Sequence, residues 1–328
     1  MSKFLIRRFF LALLIFFMGV FVTYSVIRMM PTSYVQQKAR EMSSAPGSKP
    51  YEEWLEQLNE KYGLNTNIFA GYVKWMGQAF RLDFGDSWKF TIPVTEKFGD
   101  VIWYSFALNL LTLFVEFAIG IPLGILAARK QYSKTDYAVT VFALACISLP
   151  SFFMAMIFKY IFAIKLGWLP LYGLYGSTYE SLSLLGKIGD IAQHMFLPII
   201  TLTLLSIGGI MRYTRTNMLE VLNSDYIRTA RAKGLPEKRV INKHAFRNTL
   251  IPLVTLMSSL LPSMFGGAMI TETMYQIPGI GYISYQAIIA GDIPFSMFYM
   301  SFILILTLVS LIFADIMYAV VDPRVRIN

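Results

Sequence analysis

The chain alternates long apolar runs with short, mostly basic loops. Six runs are long and apolar enough to be read as helices crossing a hydrocarbon core about 30 Å thick, at a rise of about 1.5 Å per residue. They are 9–27, 101–128, 137–158, 195–211, 248–270 and 294–314; the fourth is short, and the second carries one charge, Glu116. The pattern predicts an all-α polytopic membrane protein with six transmembrane helices. An N-terminal membrane helix occupies 1–30, an extracytoplasmic segment 31–100, and a five-helix core 101–328 with a cytoplasmic helical hairpin at 212–247. Lys3, Arg7 and Arg8 ahead of the first run also fit a cleaved signal peptide. The run is long for that role, however, and no Ala-x-Ala-like cleavage site precedes Pro31, so a retained span is expected.

The external segment reads as folded. Ser48 and Pro50 open a helix through Tyr62, with Trp54, Leu55 and Leu58 on one face and Glu52, Glu53, Glu56 and Glu60 mostly on the other, and Gly63 ends it. A second amphipathic stretch at 68–80 presents Phe69, Tyr72, Val73 and Met76. Residues 43–49 read as a flexible turn. The segment is either a cap on the bilayer surface or a platform for an extracytoplasmic partner.

Composition agrees: 55% of the 328 residues are hydrophobic and 15% charged, with a mean hydropathy of +0.53. The net charge of +9 gains its meaning from position. Arg7 and Arg8, then Arg129, Lys130 and Lys134, then the basic residues from Arg212 to Arg247, then Arg324 and Arg326 all fall on one face of the predicted topology. The excess of Lys and Arg in cytoplasmic loops places that face, and both termini, inside. The charge is therefore topological, and no nucleic-acid partner is expected. Cys146 is the single thiol, so no disulfide forms within the chain.

Catalytic chemistry is scarce. His194 and His244 are the only histidines, in no zinc-binding pattern, and no glycine elbow surrounds a serine. No catalytic or metal-binding residue is assigned. The Gly-rich loop that cradles nucleotide phosphates is also missing, so any ATP must be bound by another subunit. Carboxylates within spans are costly and face a cavity or a neighbour. Asp315 is read as half of a structural ion pair, and Glu116 as packing against a partner helix or touching substrate. Pro122, Pro150, Pro198 and Pro262 free backbone carbonyls within or beside spans, where helices kink or break along a path. Gly266 and Gly267 permit close approach of a helix or of a translocating peptide.

The segment 212–247 carries the most information. Ser224 is expected to cap a helix that has Asp225 at its positive end, and Gly234 to end that helix in a left-handed conformation. Pro236 suits the first position of a second helix and Glu237 its first turn, with Val240, Ile241, Ala245 and Phe246 as an apolar face. The hairpin is either an anchor on lipid headgroups or a docking element for a cytoplasmic motor.

The run Asp225-Tyr226-Ile227-Arg228-Thr229-Ala230-Arg231-Ala232-Lys233-Gly234-Leu235, continuing through His244-Ala245-Phe246-Arg247-Asn248 to Ile251-Pro252, resembles the coupling loop of ABC importer permeases. It is most similar to the dipeptide/oligopeptide family, and within it to the first, B-type, permease. The general loop has Glu-Ala-Ala where this chain has Arg228-Thr229-Ala230, and the stretch from Gly234 to Pro252 is longer than usual; both are typical of the peptide branch. Asp83-Phe84-Gly85-Asp86-Ser87, Ser148-Leu149-Pro150-Ser151-Phe152, Leu166-Gly167-Trp168-Leu169-Pro170, Glu272-Thr273, Pro278-Gly279-Ile280-Gly281 and Asp322-Pro323-Arg324 share the resemblance, whereas 35–67 matches poorly.

The resemblance implies a multi-pass subunit of a bacterial or archaeal cytoplasmic membrane that binds no cofactor itself. Its expected partners are a second homologous permease, two ATP-binding subunits holding ATP and Mg, an extracytoplasmic substrate-binding protein, membrane lipid and a peptide substrate. Asp225, Tyr226 and 228–235 would form the ATPase-coupling interface. Glu116, Ser148, Pro150, Gly266, Gly267 and Glu272 are the candidates for the translocation path. Oligosaccharides or nickel complexes are the alternative substrates of such families, and an ion-coupled secondary transporter is the alternative class.

Overall fold

The computed structural model describes residues 2–30, 34–249 and 260–321, with side chains from 6 to 314 among them. In chain order its α-helices are α1 (Ser2–Met29), α2 (Tyr34–Ser43), α3 (Tyr51–Lys61), α4 (Ile68–Ala79), α5 (Val94–Arg129), α6 (Lys134–Ser148) and α7 (Ser151–Phe158). They continue with α8 (Leu184–Leu222), α9 (Asp225–Ala232), α10 (Glu237–Arg239), α11 (Leu261–Gly266), α12 (Met269–Tyr275), α13 (Ile280–Ile289) and α14 (Ile293–Val321). The only β-type bridge among the described residues is an isolated one between Asp86 and Pro93.

Runs within α1, α5, α8 and α14 are long and apolar enough to cross a membrane, and a bent pair brings the number to as many as five. That pair corrects the expectation of one helix over 137–158. α6 stops at Ser148, and the chain turns by 101° into the helix that follows Pro150. Leu149 is extended (φ −91°, ψ 132°), the conformation that a residue preceding proline is pushed towards. The fifth predicted span, 248–270, falls partly on 250–259, outside the described residues. Its described remainder is not one helix, because Gly267 adopts φ +75°, ψ 161° between α11 and α12. The expected ion pair of Asp315, the continuation to Ile251-Pro252 and the terminal 322–326 also lie outside the described side chains.

Other boundaries shift for readable reasons. α8 spans 39 residues where the apolar window covered 195–211, because Ser183 caps it early, its hydroxyl accepting from the Gly186 N–H, and its last turns leave the apolar zone. Pro122 and Pro198 lie inside continuous helices, so neither breaks its span.

α5 and α8 form the spine of the fold. Gly120 and Gly124 of α5 let them approach: a Cβ on Gly124 would lie 2.7 Å from the Met211 carbonyl oxygen, and one on Gly120 would lie 3.2 Å from Ile207. α6 packs on the other side of α8, where Gly208 meets the backbone of Ala143. The α6–α8 contact is tied at its polar end by Arg215, whose Nε and Nη2 donate to the two carboxylate oxygens of Asp136 at 2.7 and 2.8 Å. The Tyr132 N–H also donates to Asp136. Asp136 is buried and Arg215 only partly exposed, so removing one partner strands the other. Asp136→Ala should therefore lower stability by about 3 kcal/mol, with the Asp136→Ala/Arg215→Met double variant recovering most of the loss. Thermal unfolding of both variants in detergent checks this.

After α1, the helices α2 and α3 close a small core of Val35, Ala39 and Leu58 with Trp54, Leu55, Tyr62 and Trp88 around it. The helix expected over 48–62 is present, and Gly63 ends it at φ +66°. In α4, Tyr72 and Met76 pack on α1, but Phe69 and Val73 stay exposed, so the expected four-residue apolar face is split. Arg28 at the end of α1 donates to the carbonyls of Leu64 and Thr66, tying the segment between α3 and α4 to α1.

Candidate coupling hairpin and transport face

The hairpin forms at the end of α5 and α8 where Arg129, Lys130 and Arg215 also lie. Gly234 makes its turn at φ +72°, a conformation that glycine adopts freely. Two details differ from expectation. Ser224 occupies the N-cap position, yet its hydroxyl donates back to the Val221 carbonyl at 2.5 Å instead of accepting from α9. Pro236 stands one residue earlier than expected, as the N-cap of α10. α10 then runs into a π-helical turn, Val240–Ala245.

The apolar stripe of the hairpin is used within the chain. Ile227 and Ala230 of α9 meet Val240, Ile241 and Ala245, and all five pack on Ala128 of α5 and Met218 of α8, with Leu235 and Phe246 at the margin. A lipid anchor therefore lacks its apolar half. Asp225, Tyr226, Arg228, Thr229, Arg231, Ala232, Lys233 and Gly234 remain exposed, whereas Ala230 and Leu235 turn inward. Arg231 closes the hairpin by donating from Nε and Nη2 to Glu237 at 3.2 and 2.8 Å. That pairing holds the Glu237 carboxyl below its usual pKa.

Farther along α5, Glu116 is buried within a cavity of about 330 Å3, lined also by Asn109, Thr112, Ser206, Leu260 and Ser263. Asn109 donates to the carbonyls of Ser263 and Met264, satisfying groups at the start of the broken α11–α12 segment. The other path candidates are placed differently. Ser148 and Pro150 are exposed at the 101° bend and do not line this cavity. Gly266 and Gly267 sit at the break, where the Gly266 carbonyl accepts from the Tyr299 hydroxyl at 2.7 Å. Glu272 is 0% exposed, and its carboxylate is held by groups of this chain.

At the far end of α5, Val94, Phe98, Val101 and Ile102 pack against Ile280, Ile283 and Ala287 of α13 and Phe295 of α14. Asp292 caps α14 by accepting from the Phe295 N–H, and it also accepts from the Ser87 hydroxyl and the Lys89 N–H. The Asp83–Ser87 motif is thereby fixed to the last span. Lys159, beyond the bend, donates to the Met274 carbonyl at 2.7 Å and ties α12 to the bent pair.

Sequence reasoning missed Asp136, Ser105 and Asp292, and it marked Ser87 only as part of the 83–87 motif, without its partner. Asp136 had a signal, because it stands three residues after the helix-capping Ser133. Ser105 and Ser87 bond partners 167 and 205 positions away, separations on which local patterns are silent. Among the described residues no group of three or more His, Cys, Asp or Glu side chains is placed to hold a metal ion.

The long apolar helices, the buried stripe of the hairpin and the cavity between α5 and α8 are those of a multi-pass membrane protein. The chain belongs to the family of inner membrane components of binding-protein-dependent transport systems, which matches residues 120–327. Members of this family are non-catalytic permease components. The chain is 38% identical over 272 residues to the oligopeptide transport system permease protein AppB of Bacillus subtilis (strain 168), covering 83% of this chain and 84% of that one. It is 33% identical over 320 residues to the dipeptide transport system permease protein DppB of Alkalihalophilus pseudofirmus, covering 93% of each. A putative peptide transport system permease protein of Brucella abortus (strain 2308) is 33% identical over 280 residues, 85% of this chain and 86% of that one.

Proposed function

We propose that this chain is a transmembrane subunit of an ATP-driven ABC importer of oligopeptides or dipeptides. With a second, homologous permease it forms the path; two ATP-binding subunits drive it, and an extracytoplasmic binding protein delivers peptide. The observation that carries this reading is the hairpin. Its polar residues Tyr226, Arg228, Thr229 and Lys233 are exposed, Arg228 and Thr229 also bonding to Asp225 beside them, while its apolar residues are packed on the ends of α5 and α8. These are the helices that line the cavity around Glu116. A push on α9 from a closing ATPase is thus delivered to the walls of the path.

The proposed topology has six spans, the fifth including residues 250–259, and both termini inside. Glu116 is proposed to face the translocated peptide or the partner permease, with Ser148, Pro150, Gly266 and Gly267 at the points where helices break. α2 and α3, packed on each other, and α4, packed on α1, form the external platform for the binding protein. The peptide substrate is supported by the names of the relatives; the same scaffold would also suit oligosaccharides or nickel complexes.

Cross-linking tests the hairpin directly. Cys146 is buried and is the only native thiol, so Tyr226→Cys in a Cys146→Ser background gives a single reactive site. A short bifunctional reagent should join it to a co-purifying ATP-binding subunit, with a yield that changes on ATP trapping. Reaction with lipid alone would remove the docking role.

A further inference from the structure

Glu272 is a completely buried carboxylate that no cation approaches within ion-pairing distance among the described residues. Its oxygens are instead satisfied by three neutral donors. The Ser105 hydroxyl and the Ala268 N–H donate to Oε1 at 2.7 and 2.9 Å, and the Tyr282 N–H donates to Oε2 at 2.9 Å. Ser105 in turn accepts from the Ile280 N–H at 2.7 Å. Glu272 and Ser105 together thus join three pieces of the chain: α5, the start of α12, and the turn that leads into α13.

The glycines of this region are explained by the same group. A Cβ on Gly279 would lie 2.5 Å from Glu272 Oε2 and 2.5 Å from Ser105 Oγ, and one on Gly281 would lie 3.0 Å from Glu272 Oε2 and 2.8 Å from the Met269 nitrogen. A Cβ on Gly267 would run into the Gly281 backbone. Only bare backbone can wrap the carboxylate this closely. Tyr299 extends the assembly to α14 through the Gly266 carbonyl.

Position gives this cluster its consequence. Ala128, at the other end of α5, packs on the coupling hairpin, and Ser105 lies 23 residues before it in the same continuous helix, a separation of about 35 Å. Isolated buried carboxylates are costly and are satisfied by fixed donors, which makes them effective at enforcing one geometry.

We propose that Glu272 is a positioning residue for transmission: it clamps α12 and the 278–281 turn to α5, so that hairpin movement carried along α5 moves these far-end segments with it. This rests on the importer reading above. Glu272 does not touch peptide in this account; it acts through the backbone that it holds. Glu272→Gln offers an amide group to donors that need an acceptor. Ser105→Ala removes the bridge to α5 while keeping the carboxylate and both of its backbone donors.

The test uses the assembled transporter in proteoliposomes with a single reporter, Met269→Cys in a Cys146→Ser background, since Met269 is exposed beside the clamp. Labelling by a membrane-impermeant maleimide is compared between nucleotide-free and vanadate-trapped states. In the parent, the labelling rate should differ between the states. In Glu272→Gln and Ser105→Ala that difference should collapse about tenfold, the scale of one lost buried hydrogen bond, and ATP hydrolysis should become independent of binding protein while subunit assembly stays intact. If Glu272→Gln fails to assemble, the milder Ser105→Ala decides. Variants that keep the parental difference and binding-protein-stimulated hydrolysis overturn the clamp but leave the importer reading standing. A parent with no nucleotide dependence overturns both.

Discussion

Replacing Arg228 and Arg231 with glutamate, or Gly234 with proline, is expected to leave the protein inserted and assembled while ATP hydrolysis no longer drives uptake. Arg228 lies on the exposed face of α9, 3.6 Å from Asp225, so glutamate there sets two carboxylates side by side and reverses the charge offered to the proposed ATP-binding partner. Arg231 acts differently: glutamate there loses the bidentate bond to Glu237 and sets two carboxylates against each other, loosening the hairpin from within. Proline at 234 cannot adopt φ +72°, because its ring holds φ near −65°. Reversing a gate from 1:99 to 99:1 takes about 5.5 kcal/mol, so even partial loss of transmission is costly. Uptake should fall at least about tenfold, while hydrolysis falls far less. The ratio of peptide transported to ATP hydrolysed, measured for the single variants as well, separates the docking contribution of Arg228 from the shape contribution of Arg231.

The second large effect concerns the spine. Gly124→Leu should prevent α5 and α8 from packing and abolish recovery of folded protein, because the first obstacle is the Met211 carbonyl and the Thr214 side chain, both 2.7 Å from a new Cβ. Backbone cannot rotate away as a flexible side chain can. Gly124→Ala should already cost about 1–3 kcal/mol. Gly99 in the same helix has nothing within 4 Å of its added Cβ, so Gly99→Ala should have the opposite sign and stabilise slightly, as alanine replaces glycine in a helix. Thermal melts of the two alanine variants, run side by side, distinguish close packing from a general intolerance of side chains in α5.

Much of this architecture is legible in the chain because bilayer and helix impose simple periods. The spans α1, α5, α8 and α14 follow from apolar runs, and the turn at Gly234 follows from glycine between two amphipathic stretches. What sequence reading blurred has physical causes. An apolar window registers the part of a helix that matches lipid, so it missed the polar turns that extend α8 from Leu184 to Leu222. The window also cannot tell one helix over 137–158 from two, because both halves are apolar and only Leu149-Pro150 marks the break. Proline itself was ambiguous: Pro122 and Pro198 sit inside intact helices, whereas Pro150 begins a new one.

The site divides in the same way. The hairpin was readable because its residues are contiguous, although which of them face inward depends on Ala128 and Met218, far away in the chain. Glu116 stood out as the one charge in its span, and it lies in a cavity between helices. Glu272 stood out too, yet its surroundings, Ser105 above all, come from a helix 167 positions away. A sequence motif can mark such a carboxylate without revealing that backbone N–H groups hold it.

In the proposed importer, this chain carries a path that motors outside it open. The most direct measurement is uptake of labelled peptide by proteoliposomes reconstituted from the affinity-purified chain and the subunits that accompany it, with ATP and an extracytoplasmic binding protein supplied or withheld. Uptake is expected only when a second permease, ATP-binding subunits, ATP and binding protein are all present. Uptake by the isolated chain on a proton or sodium gradient, with no effect of ATP, would contradict it.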